Sequence, residues 1–202
     1  MTQVSGATQA PAAAPAPSLF AGPAPLGLVA FGMTTLLLST INTGIIPATS
    51  TPIVLALAIP FGGACQVVAG FVAFRNGAHF AATAFTAYGA FWFSFVFINT
   101  LFGAELPKDP TPMLGLYAMG WGLFTAYMTV ASLAGTKAVT VVFALLTLTF
   151  VALGIGFWGH DAPGASWTQI GGILGLATAA AAIYTSFADV SNAVFGRTVL
   201  PV

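Results

Sequence analysis

The chain has 202 residues, with four Lys or Arg and four Asp or Glu, a formal net charge of zero and 58% hydrophobic residues. A soluble domain has about a quarter of its residues charged, so this composition excludes an ordinary water-soluble globule, and the lack of any basic patch or nucleic-acid module excludes an RNA or DNA partner. Cys65 is the only cysteine, which excludes an intramolecular disulfide and a cysteine-based zinc cluster.

Residues 1–22 are mostly Ala, Pro, Ser, Thr and Gln. Such a stretch buries too little apolar surface to offset the entropy of ordering, so it reads as a disordered Pro/Ala-rich tail. It has no basic n-region, and prolines interrupt the place of an apolar h-region, so it does not read as a secretory signal peptide. Residues 23–202 then form one transmembrane domain. Six apolar segments follow in order: Leu26 to Ile46, Pro52 to Phe74, Phe80 to Phe102, Met113 to Ala134, Val139 to Trp158 and Trp167 to Phe187. Each reaches about 20 residues, enough to cross a hydrocarbon core of about 30 Å as a helix. Backbone groups in hydrocarbon must pair within their own segment, and barrel strands would be shorter and alternating. The fold class is therefore all-α, an integral membrane protein with six transmembrane helices.

The charges orient this domain. Arg75, Lys137 and Arg197 fall on the side of the N-terminal tail, whereas Lys108 falls on the other, beside Glu105, Asp109 and Asp161; Asp189 closes the sixth segment. Cations concentrate on the cytoplasmic side of membrane proteins, which puts both termini in the cytoplasm, and Trp158 and Trp167 at the outer ends of helices five and six suit an interfacial belt. An internal echo is also present. LGLVAFG at Leu26 to Gly32 recurs as LGLYAMG at Leu114 to Gly120, opening helices one and four. An odd number of spans separates the copies, so they run in opposite directions, as in a 3+3 inverted repeat; chance recurrence of common letters is the other reading.

Groups for catalysis are few. His79 and His160 fall on opposite sides, so they cannot share a metal or act as a pair within a protomer, and neither a Ser-His-Asp set, a carboxylate pair, an HExxH motif nor a phosphate-binding loop is present. The chain reads as a non-enzyme with no cofactor and no metal. The spans do hold hydroxyls and amides that can bond a small polar solute or, alternatively, a neighbouring helix: Thr34, Thr35, Ser39, Thr40 and Asn42 in helix one, Gln66 in helix two, and Thr83, Thr86 and Tyr88 in helix three. Asn42 and Gln66 are the stronger candidates, because an amide is costly to bury unpaired. In helix six, Gly171, Gly175 and Ala179 recur every four residues as a stripe for close helix packing.

No Lys or Arg lies near the midplane, so an anion there could be held only by backbone dipoles. GPAPLGLVAFGMTT, residues 22–35, offers such a site. Pro25 fits the first helical position, leaving the amides of Leu26, Gly27 and Leu28 free at a helix N-terminus, where Gly27 lets a small anion approach. The competing reading is that Pro-Ala-Pro ends the tail while Gly27 and Gly32 admit a tightly packed neighbour.

These same residues give the chain a resemblance. Pro23-Ala24-Pro25-Leu26-Gly27-Leu28, together with FGMTTLLLS, FGGACQVVAG, TAFTAYGAFW and FGRTVLP, resembles the acetate uptake transporter family of the succinate–acetate permease type, over Gly22 to Pro201. The resemblance implies a six-helix protomer, a homohexamer, and passage of acetate and related short monocarboxylates through each protomer, as a channel or coupled to protons. It also implies a hydrophobic constriction of Phe, Tyr and Leu, matched here by Phe31, Tyr88 and Leu146. Counted from the cytoplasmic helix ends at 1.5 Å per residue, these lie roughly 8, 12 and 10 Å deep, so they can meet at one level. Where the family usually has Asn before the first proline, this chain has Gly22; Ala73 replaces a usual Glu, and Gly77-Ala78-His79-Phe80 stands for Gly-Asn-Thr-Phe.

The expected function is transport of acetate or a similar small carboxylate across a cell membrane. The candidate substrate contacts are Pro25, Leu26, Gly27, Leu28, Asn42, Gln66 and Thr86. A channel for a neutral solute such as ammonia or urea, and a sensor or scaffold that transports nothing, are the alternatives.

Overall fold

A computed structural model describes residues 22–202. The tail expected over residues 1–22 lies, except for Gly22, outside the described residues. Among the described residues, six helices are long and apolar enough to cross a membrane: α1 (Ala24–Asn42), α2 (Ala48–Arg75), α3 (His79–Asn99), α4 (Thr111–Ser132), α5 (Lys137–Trp158) and α6 (Ser166–Phe195). No strand occurs among the described residues.

Three helices depart from the sequence expectation. The first, expected over Leu26 to Ile46, ends at Asn42. The second was expected to be one regular helix over Pro52 to Phe74. Instead α2 opens with a 3-10 turn (Ala48–Ser50) and α-helix (Thr51–Leu57), widens into a π-helical stretch (Ala58–Cys65), and returns to α-helix (Gln66–Arg75). Pro60 is the local cause: it has no N–H to donate, and its ring crowds the preceding turn, so the helix widens where the ladder is already broken. The sixth helix was expected to end at Phe187 but runs on to Phe195. The apolar run stops, yet Ala, Val and Phe continue to favour helix until Gly196, whose φ of +62° is left-handed and ends it. The tail then folds back, with Val199 and Leu200 N–H groups donating to Asn192 Oδ1 at 2.6 and 2.9 Å, and Tyr184 Oη donating to Pro201 O at 2.9 Å.

The internal echo extends into the packing. A Cβ added at Gly70 of α2 would collide with the Thr86 hydroxyl of α3 and lie 2.9 Å from the Thr86 nitrogen; at Gly156 of α5 it would meet Thr168 of α6, with 2.9 Å to that nitrogen. Three residues along, Gly89 would meet Val67 Cγ2 at 2.6 Å and Gly171 would meet Leu153 Cδ2 at 2.7 Å. The α2–α3 and α5–α6 pairs thus share one register, although the first turns on the face where α1 begins and α6 ends and the second on the opposite face. That is the arrangement of an inverted repeat. The halves differ where α2 is π-helical, since α5 is regular throughout. The small-residue stripe of α6 does pack helices: Gly172 faces the Asn42–Thr43 backbone, Gly175 faces Ser39, and Gly171 faces Leu153.

On the opposite face, loops are pinned by Asp109. Its carboxylate accepts from the Thr111 hydroxyl, from the Thr111 N–H at 3.1 Å, and from His160 Nε2 at 3.1 Å. These bonds, the Thr111 hydroxyl first, hold its carboxyl below the ordinary carboxylate range. A depressed folded-state value stabilises above the unfolded value and ceases to do so as pH falls through the folded one. The melting difference between the wild type and Asp109→Asn is therefore expected at neutral pH and to close below about pH 4, measured in detergent across a pH series.

Candidate functional site

Between α1, α3, α5 and the ends of α4 and α6 lies a cavity of about 370 Å³, open toward the face where α1 begins and α6 ends. Leu28, Ala84, Phe85 and Phe143 line it, and the same four residues line a second space of about 20 Å³ deeper in the bundle. The deeper space is completed by Phe31, Gln66, Tyr88, Val142 and Leu146. A vestibule thus narrows to a neck that holds roughly one water. The structure brings Phe31, Tyr88 and Leu146 together there, with Phe31 and Tyr88 ring centroids 5.6 Å apart and all three side chains at most 4% exposed.

Tyr88 is fixed by its hydroxyl as well as its ring. Thr125 Oγ1 donates its one hydrogen to Trp121 O at 2.7 Å, so in the 2.9 Å pair it is Tyr88 that donates to Thr125. The phenol oxygen thereby points into α4, and the ring packs edge-to-face against Phe124 and at a tilt against Phe143, with centroids 5.4 and 6.0 Å away. Thr125 is not among the residues singled out from the sequence; a buried tyrosine needing a partner on the facing helix is the signal that could have found it.

Gln66 is the one amide brought to the neck. It is fully buried, and its Nε2 donates to Gly62 O at 2.8 Å within the π-helical stretch. A carbonyl only accepts, so this bond fixes which amide atom is nitrogen. The other atom, Oε1, has no partner among the described residues. A buried, unmatched acceptor costs about 1–3 kcal/mol, and here it borders the narrowest part of the cavity.

The remaining candidates lie elsewhere. Asn42 ends α1 toward the opposite face, where its carbonyl accepts from Gly164 N–H at 2.9 Å. Thr86 turns its unpartnered hydroxyl to Gly70 of α2 and lines neither cavity described above. Pro25 is at the second helical position, because Pro23 is the cap, and its carbonyl accepts from Ser186 Oγ at 2.7 Å. The helix ladder begins with Gly27 N–H donating to Pro23 O at 3.1 Å. This corrects the expectation of a free Gly27 amide: the helix starts a residue earlier than its prolines suggested, so only Ala24 and Leu26 precede the ladder with an N–H. Leu26 is 40% exposed and stands outside the cavity, while Ala24 and Leu28 face into it.

Gly27 and Gly32 serve packing. A Cβ at Gly27 would collide with the Phe85 ring, and one at Gly32 would lie 2.8 Å from Ile183 Cγ1. Since Phe85 borders both vestibule and neck, Gly27→Ala must displace a wall of the passage. Overpacking of this kind is expected to destabilise by about 1–3 kcal/mol and to lower solute uptake in liposomes. Phe85→Leu in the same chain should relieve both effects.

Six spanning helices around a vestibule that ends at an aromatic neck define a polytopic membrane protein with a solute-sized cavity inside the chain. Over residues 5–201 the sequence matches the GPR1/FUN34/yaaH family, and the chain belongs to that family. It is 41% identical over 183 residues to the succinate-acetate/proton symporter SatP of Escherichia coli K12, covering 90% of this chain and 95% of that protein. It is 37% identical over 196 residues to acetate permease A of Emericella nidulans, covering 91% of this chain and 66% of that protein. The solved structure of the bacterial acetate channel SatP superposes with a TM-score of 0.84 at 40% identity, covering 91% of this chain and 99% of that one.

Proposed function

We propose that the protein transports acetate and related short monocarboxylates across a cell membrane, through the vestibule and the Phe31, Tyr88 and Leu146 neck, with the solute crossing as the neutral acid. Relatives described as an acetate permease, an acetate channel and a succinate-acetate/proton symporter support the substrate class. The observation that carries the neutral form is Gln66 Oε1, a buried acceptor without a donor at the neck. A carboxylate has no hydrogen to give it, whereas a protonated acid has an O–H. No Lys or Arg lines either cavity to hold an anion. Short carboxylic acids titrate near pH 4–5 in water, and desolvation raises that value, so an apolar neck favours the protonated species.

In this reading the proton travels on the substrate, the constriction selects by size, and Ala24 and Leu28 bring the start of α1 to the vestibule wall while Pro25 and Gly27 shape it from behind. The cation distribution supports cytoplasmic termini, which makes the vestibule the cytoplasmic mouth, and the family resemblance supports a homohexamer with one passage per protomer. Proteoliposomes decide the matter. Labelled acetate uptake should be electroneutral, carry one proton per acetate, and be inhibited by other short carboxylates but not by urea. A net negative current without proton movement would overturn neutral-acid passage, and inhibition by urea alone would point to a neutral-solute channel.

A further inference from the structure

One ionisable side chain lines the vestibule, and the passage described so far does not use it. Asp189, half-buried on α6, borders the cavity of about 370 Å³ together with Leu28, Phe80 and Phe143. Its carboxylate has no hydrogen-bond or ion-pair partner among the described residues. The polar groups a turn away on its own helix are spent elsewhere: Thr185 Oγ1 donates to Ala181 O at 2.7 Å, Ser186 Oγ to Pro25 O at 2.7 Å, and Asn192 holds the C-terminal tail. From α4, Ser132 Oγ donates to Thr129 O at 2.6 Å, and Thr136 before α5 accepts from Val139 N–H at 3.4 Å. The faces of α1, α3 and α5 turned to the cavity are apolar, and no second titratable group lines it. Arg75, His79, Lys137 and Arg197, at or just past helix ends on the same face, are exposed and stand outside it.

We infer that Asp189 is the vestibule's carboxylate-recognition residue, which binds the substrate's carboxyl group by sharing one proton with it. Two ionised carboxylates in one apolar-walled space repel, whereas a carboxyl and a carboxylate form a strong O–H···O⁻ bond, so the pair is favoured with a single proton between them. Binding of the anion therefore takes up one proton from the water of the mouth. When the acid moves on toward Gln66 it carries that proton, and Asp189 is left as the carboxylate, so charge and protons balance without a cofactor. This inference rests on the carboxylate-transport reading above and adds where the proton is acquired.

The experiment is the pH dependence of ¹³C-acetate affinity for the full-length protein in detergent, with uptake into proteoliposomes measured in parallel. With one proton taken up per acetate, the wild-type Kd is expected to rise about tenfold per pH unit between pH 6 and 8. Asp189→Asn and Asp189→Ser, which need no proton to accept the anion, should show a Kd nearly independent of pH, and Asp189→Glu should restore the slope. A general loss of packing would not separate Glu from Asn in this way. An unchanged slope in Asp189→Asn or Asp189→Ser overturns the inference while leaving acetate transport intact, as does a flat wild-type profile. Wild-type liposomes that take up no acetate overturn the transport reading itself, and the inference with it.

Discussion

Leu146→Ala is expected to convert the neck from a selective constriction into a permissive one. Leu146 is 3% exposed and closes a space of about 20 Å³ against Phe31 and Tyr88, so in this conformation the passage is narrower than any carboxylic acid. Acetate must displace these side chains as it passes, and each added methylene displaces them further. A single methylene in an apolar pocket changes discrimination by about 10–200-fold. Cutting Leu146 back to its β-carbon removes the obstacle, so butyrate uptake should rise at least about tenfold relative to acetate. The cost to the fold should stay near the lower end of the about 2–5 kcal/mol usual for Leu→Ala, because the void adjoins a cavity already present and the surrounding solvent is apolar. Competition of labelled acetate uptake by propionate and butyrate measures the selectivity, and a melting curve in detergent measures the cost. A butyrate-to-acetate ratio equal to that of the wild type would show that Leu146 does not form the constriction.

How far the sequence reached depends on what each feature needs. The six spans were legible because hydrocarbon imposes one rule on backbone, and a continuous apolar run of about 20 residues satisfies it in one way. The echo at Leu26 and Leu114 carried the inverted repeat, and the contacts of Gly70 with Thr86 and Gly156 with Thr168 reproduce it in space. Pro60 was visible too, yet a proline inside a span is compatible with a kink, a break or a widened turn. The choice of a π-helical stretch depends on Gly62 fitting against Thr34 and Trp92, and Gly63 against Phe93, contacts that a linear sequence does not display. For the same reason the opening glycines were ambiguous. Gly27 at a helix start is a place either for an anion or for a ring, and only the position of Phe85 decides. In the sequence Asp189 falls at the end of the sixth segment, because the apolar run ends there. The extension of α6 to Phe195 makes it part of the vestibule wall.

Gln66→Leu separates the neck's chemistry from its shape. The two side chains are similar in size, so the wall stays closed while its polar atoms disappear. The fold should change by no more than about 1 kcal/mol, because losing the Nε2 bond to Gly62 O, worth about 0.5–1.5 kcal/mol, is offset by removing an acceptor whose burial without a partner costs about 1–3 kcal/mol. A neutral acid crossing the neck, however, would lose its only amide acceptor there. A hydrogen bond worth about 1.4 kcal/mol in the narrowest part corresponds to about tenfold in rate, so labelled acetate uptake should fall by about that factor. Tyr88→Phe is the matching control, since the Tyr88 hydroxyl is committed to Thr125 on the α4 side and its ring, not its oxygen, closes the neck. Its uptake should stay within about twofold of the wild type. If Gln66→Leu transports acetate as fast as the wild type, the unmatched carbonyl is not what an acid meets on its way through, and the case for the protonated species would have to rest on the apolar walls alone.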